Sequence, residues 1–172
     1  MKKMLLIILF VGIGLISFSN NIIGPRYRVD LSLGFGYILS EKDNGNEFIS
    51  TSIGVLPEWK YQINNKLDLT FGPKVNLIFS NYISSKTKFL NGLVLGGEGD
   101  FNYRLKENVR LYSGIEVGIG GLIKFMPNKV ESYEIINVSK ISLGAKIKDK
   151  FNIAFYIGYS KGLLGIETGY TF

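Results

Sequence analysis

Residues 27–37 read Tyr-Arg-Val-Asp-Leu-Ser-Leu-Gly-Phe-Gly-Tyr. The odd positions Tyr27, Val29, Leu31, Leu33, Phe35 and Tyr37 are all apolar or aromatic, whereas the even positions hold Arg28, Asp30, Ser32, Gly34 and Gly36. Side chains of a β-strand point alternately to opposite faces, so the stretch is a strand with one greasy face and one face of charges and small residues.

The same parity recurs along the chain. It predicts strands at about 26–39, 48–62, 67–79, 89–105, 109–123, 135–147, 151–159 and 163–172. Helical spacing of 3.6 residues never persists. The apolar set stays on odd numbers, as in Ile53-Val55, Leu93-Leu95, Ile115-Val117-Ile119 and Ile153-Phe155-Ile157. The sixth segment opens less cleanly with Asn137 and Ser139, and the eighth switches to even numbers: Leu164, Ile166, Thr168, Tyr170 and Phe172. None of these positions is charged. The opposite face takes every strand charge, with bases Arg28, Lys60, Lys74, Arg104, Arg110, Lys140 and Lys146 and acids Asp30, Glu58, Asp68, Glu98, Asp100, Glu116 and Glu167. Its other places are largely Gly, Ser, Thr and Asn, and a shifted strand boundary would add Arg26, Glu47 or Glu134.

Tight turns at 63–66, 106–108 and 148–150 alternate with longer connections at 40–47, 80–88 and 124–134 and a short one at 160–162. Short turns at one end and longer loops at the other describe an up-and-down meander. A soluble sandwich or lipocalin-like barrel would place the apolar face inside, a bilayer barrel outside. Three features favour the bilayer. The apolar stripe is more than an eight-stranded interior could hold. Aromatics such as Tyr27, Trp59, Tyr61, Tyr103, Phe151 and Tyr159 gather near strand ends, as interfacial girdles do. A glycine-rich surface facing water would forfeit strand propensity without gain.

The first residues read as an address. Lys2 and Lys3 precede an uncharged run from Met4 to Ile16, and Ser17-Phe18-Ser19 puts small residues where a signal peptidase cuts, so residues 1–19 are expected to be a signal peptide and 20–172 the barrel domain. The uncharged run of thirteen residues would reach only about 20 Å as a helix, short of a hydrocarbon core of about 30 Å. No later stretch reaches 18 consecutive apolar residues. The 172 residues contain neither His nor Cys, which excludes His-based triads, Cys nucleophiles, disulfides and nearly every zinc or haem site. No cofactor and no metal is expected. The net charge of +6 is modest, and export argues against nucleic acid.

Leader, eight alternating strands and the final Gly169-Tyr170-Thr171-Phe172 together resemble the small eight-stranded outer-membrane β-barrel proteins, the class of the OmpA transmembrane domain and the opacity-type proteins. The resemblance covers the mature chain as architecture. It implies a bacterial outer-membrane location, periplasmic termini, lipid and lipopolysaccharide as surroundings, and Tyr170 and Phe172 as a C-terminal signal for the barrel assembly machinery. Phe172 would equally close a lipid-facing stripe. Pro73 departs from the pattern: it sits mid-strand without a donor and costs a ladder bond unless Gly72-Pro73 forms a bulge.

In a narrow lumen, seven bases and seven acids read as a paired network that fixes register. The expected function is therefore a mainly structural outer-membrane barrel, monomeric, with no open pore and no enzymatic activity. Two alternatives remain at this stage. One is a narrow ion path along Arg28, Asp30, Lys74, Glu98, Arg110, Glu116 and Glu167. The other is an adhesin acting through its outer loops, where Lys86, Lys88, Lys124 and Lys129 are candidate contacts, for lipopolysaccharide phosphates among others.

Overall fold

Eight strands follow one another in a computed structural model that describes residues 22–40, 43–83, 89–126 and 129–172. They are β1 (Ile22–Ser40), β2 (Asp43–Gln62), β3 (Leu67–Tyr82), β4 (Phe89–Lys106), β5 (Val109–Met126), β6 (Lys129–Ile147), β7 (Phe151–Tyr159) and β8 (Leu164–Thr171). Each pairs antiparallel with its sequence neighbours, and β1 closes the barrel on β8 from Arg28↔Thr171 to Phe35↔Leu164. The fold is an up-and-down barrel, with no sheet edge left over the height of that β1–β8 seam. The expected leader, residues 1–19, and the loop residues Lys86 and Lys88 lie outside the described residues, as do the side chains of Lys124 and Lys129.

Burial alternates with parity along every wall. Leu31, Leu95, Ile115, Ile141, Phe155 and Ile166 are among the exposed apolar side chains, while the residues between them are buried toward the axis. A soluble protein rarely exposes a continuous apolar surface of this extent; here it wraps the whole cylinder, the distribution of a transmembrane barrel.

The structure corrects one expectation and sharpens two others. First, β2 begins at Asp43 and β6 at Lys129, while β3 runs to Tyr82 and β5 to Met126. The expected loops over 40–47 and 124–134 are mostly hairpin, closing at Ser40↔Asp43 and Met126↔Lys129. Beyond the apolar band both faces of a wall meet water, so the alternation fades while the hydrogen-bond ladder continues.

Secondly, no bulge accommodates Pro73. Val55↔Val75 and Trp59↔Phe71 keep one register, so Pro57 and Pro73 stand opposite each other in the interval where β2–β3 pairing lapses. Two residues without N–H groups share a single gap, and Pro73 keeps Gly97 of β4 as its other neighbour. Bulges occur instead near strand ends, one of them where β1 carries Gly24 and Pro25.

Thirdly, the inner face is not only charged and small. Ile78, Val94 and Val138 form a buried apolar cluster with Ile136 packed on it, toward the long-loop end of the lumen. Sparse apolar residues at even numbers are invisible to a parity argument that sorts faces by their majority.

Candidate functional site: the charged lumen

Six strands aim charged side chains into the middle of the bore, because even positions of β1, β3, β4, β5 and β6, and Glu167 of β8, face inward. Arg28 of β1 bonds Asp30 at 3.1 Å, Glu58 at 3.4 Å and Asp100 at 2.7 Å, and also bonds Glu98. Lys74 of β3 reaches four carboxylates: Glu98 at 2.5 Å, Asp30 at 2.8 Å, Glu116 at 3.3 Å and Glu167 at 3.6 Å. Lys140 of β6 holds Glu167 at 2.7 Å, Glu116 at 2.9 Å and Glu98 at 3.4 Å. Lys146 bonds Asp100 at 2.7 Å and the Thr70 hydroxyl at 2.9 Å, with its ammonium 4.8 Å from the Tyr112 ring centroid.

Lys161 completes this centre and has no place in the strand pattern. It belongs to the β7–β8 connection, yet its side chain is 1% exposed. The two strands it joins have only nine and eight residues, so their connection lies at mid-height rather than above the barrel. Ser160 takes φ 69° and Gly162 φ 116°, and the connection turns into the lumen. There the Lys161 ammonium donates to Asn76 Oδ1 at 2.8 Å and pairs with Glu116 at 2.8 Å, while Tyr156 donates its hydroxyl proton to the Lys161 carbonyl at 3.0 Å. Gly34 makes room for this fold-back, since a Cβ there would lie 2.1 Å from the Lys161 carbonyl oxygen. The sequence signal was the brevity of the last two strands, which leaves their turn too low to reach a rim.

The centre therefore contains five bases, Arg28, Lys74, Lys140, Lys146 and Lys161, and five acids, Asp30, Glu98, Asp100, Glu116 and Glu167. Each has an opposite charge within 4 Å. Carboxylate oxygens of Asp30, Glu98 and Glu167 lie within 4.8 Å of one another and could ligate a cation. Lys74 already bridges all three, so a metal ion would have to displace its ammonium.

Five of the sequence-derived lumen residues belong to a second group at the short-turn end. Lys60 pairs with Asp149 at 2.7 Å and Asp68 at 3.8 Å, and Arg110 with Asp149 and with Asp68 at 3.4 Å. Asp149 reaches them from the β6–β7 turn, where positive φ at Lys148 (53°) and Asp149 (57°) with a Lys150 N–H to Ile147 carbonyl bond of 3.1 Å makes a type I′ turn. Glu58 links the two groups by bonding both Arg26 and Arg28. Arg104, half-buried, makes no ion pair among the described residues. At the chain's end, Tyr170 and Phe172 are exposed on the outer wall and pack edge-to-face at 5.1 Å.

No family model and no curated protein matches the chain. Solved structures do. The chain is similar to the outer-membrane enzyme PagL, with 8% identity and a TM-score of 0.55 over 84% of this chain and 97% of that one. It also matches Ail, the attachment invasion locus protein of Yersinia pestis, at 14% identity and TM-score 0.45, covering 87% of this chain and 100% of that one. The N-terminal β-barrel domain of Pseudomonas aeruginosa OprF matches at 12% identity and TM-score 0.42, with 87% and 100% covered. The PagL likeness establishes the eight-stranded barrel fold, and such a fold is compatible with more than one activity.

Proposed function

We propose that this chain is an integral protein of the bacterial outer membrane whose role is structural, a filled barrel that neither conducts solutes nor catalyses a reaction. One observation carries the reading: the bore is occupied by a neutral set of ten charges, Lys161 of the infolded β7–β8 connection among them, with the Ile78–Val94–Val138 cluster above. A charge buried in a narrow, low-dielectric space is tolerated when its partners stay in place, so the network is a reason for the barrel to remain shut. The sequence contains no His or Cys to serve as a base or thiol nucleophile, which supports a role outside catalysis. On this reading the short turns and both barrel ends of the chain face the periplasm, and the outer wall meets lipid. The barrel works as a monomer. The exposed Tyr170 and Phe172 are what the assembly machinery would recognise.

The test is a planar-bilayer recording of the refolded barrel, with gel mobility compared before and after boiling. The expected results are no steady current and a mobility shift on heating. A stable open-channel current would remove the structural reading in favour of an ion path, and the absence of a heat shift would remove the membrane barrel itself.

A further inference from the structure

The charge of the barrel is unevenly placed. From residue 22 onward the sequence has eighteen bases and fourteen acids. The centre of the lumen balances at five each. Among the described residues the short-turn mouth, by contrast, has a surplus of bases, even with Glu58 counted there. Arg26, Lys60, Arg104 and Arg110 face the mouth, and the exposed Lys66, Lys106, Lys148 and Lys150 stand on the turns around it. Against these eight bases are Glu58, Asp68, Glu107 and Asp149.

Nor are the inner four fully neutralised by geometry. Arg104 stands directly opposite Arg110, and Arg110 opposite Lys146, a row of three bases across β4, β5 and β6. Like charges placed so are destabilising. Lys60 is repelled in addition by Arg26, Arg104 and Arg110. Asp68 and Asp149 serve Lys60 and Arg110, and Glu58 serves Arg26, which leaves Arg104 without an ion pair among the described residues. Two guanidinium Nε–H groups, those of Arg26 and Arg104, are shielded from solvent and donate to no protein acceptor, and that of Arg110 lies 3.4 Å from Asp68 Oδ2 without a hydrogen bond. Several unmet donors and a net positive field at one partly enclosed opening call for an anion with more than two acceptor oxygens. Guanidinium forks match a tetrahedral oxyanion well.

We infer that the short-turn mouth is a binding site for a phosphate group, with Arg104 as its principal ligand, Arg26 and Arg110 as flanking donors, and the turn lysines concentrating anions around it. The phosphate could be that of an anionic phospholipid headgroup in the adjoining leaflet or a soluble phosphate. The inference goes beyond the structural reading above and stands or falls separately from it.

The experiment titrates the refolded full barrel in a zwitterionic detergent by calorimetry with inorganic phosphate, with soluble short-chain phosphatidylglycerol and with short-chain phosphatidylcholine. Saturable binding that weakens with added salt is expected for at least one of the first two, and not for phosphatidylcholine. Binding of phosphatidylglycerol alone assigns the site to a headgroup, and binding of inorganic phosphate to a soluble anion. Arg104→Gln should weaken the bound ligand about tenfold, as loss of a charged hydrogen bond does. Asp149→Asn, which removes a competing acid from Lys60 and Arg110, should tighten it, a gain that damaged folding would not produce. Failure of both anions to bind overturns the inference; so does equal affinity in wild type and Arg104→Gln, or, should that variant not fold, an Asp149→Asn affinity no tighter than wild type.

Discussion

At mid-height of the barrel ten charges cancel, and Lys74 alone touches four carboxylates. At the short-turn mouth the same inner face holds Arg104 opposite Arg110 with few acids to spare. The two regions are built from the same strands and the same inward parity, so the difference lies in solvent. Mid-barrel charges are walled in by lipid-facing strands and must neutralise one another, because an uncompensated charge in low dielectric costs several kcal/mol. Charges at the mouth lie closer to water, with the Arg26 and Asp149 side chains 23% and 28% exposed, which screens repulsion and makes a surplus of one sign affordable. A lumen residue's partners thus say less about its importance than its depth does.

The largest test of that contrast compares Glu98→Gln with Asp68→Asn. Glu98→Gln leaves Arg28, Lys74 and Lys140 short of a partner and should cost about 3–5 kcal/mol in urea unfolding from lipid vesicles. Asp68→Asn at the mouth should cost less, about 1 kcal/mol, because its contacts with Lys60 and Arg110 are long, at 3.8 and 3.4 Å, and Asp149 still serves both cations. Equal losses would break the distinction between the regions.

A second substitution probes the wall that isolates the centre. Ile115 lies on the outside next to inward-facing Glu116, and Ile115→Arg should cost about 2–4 kcal/mol at the bilayer midplane. Wild-type stability would mean that the outer face does not meet hydrocarbon.

Gly34→Ala addresses the roof. Its Cβ would collide with the Lys161 carbonyl oxygen, an overpacking worth about 1–3 kcal/mol. The β7–β8 connection should leave the lumen, and trypsin should then cut after Lys161 in the folded barrel; a connection still protected would show that it is not held by this contact. The smallest effect is expected from Arg104→Gln without added anion, where stability should stay within about 0.5 kcal/mol of wild type. A loss as large as that of Glu98→Gln would place Arg104 in the central network after all.

Much of this is legible in the order of residues alone. The direction of a side chain in a strand depends only on its own backbone, so the alternation from Tyr27 to Tyr37 separates the two faces within eleven residues. The fourteen lumen charges follow from the same rule, since nothing but parity is needed to assign them. What escaped the pattern did so for identifiable reasons. The hairpins reaching Asp43 and Lys129 run on where both faces are wet, Lys161 and Asp149 enter the lumen from turns that have no period, and Ile78, Val94 and Val138 are apolar exceptions on a polar face.

Which charge meets which is a different kind of fact. Arg28 and Asp100 are 72 positions apart and touch at 2.7 Å, and Lys60 meets Asp149 at 2.7 Å from 89 positions away. Such pairings depend on how far neighbouring strands are staggered when β8 closes on β1, because the stagger decides which inward residues share a level. Local backbone geometry, written in the order of residues, settles that charges point to the axis. Closure of the ring, a property of all eight strands together, settles their depth, and with it whether a charge is neutralised in the centre or left over at the mouth.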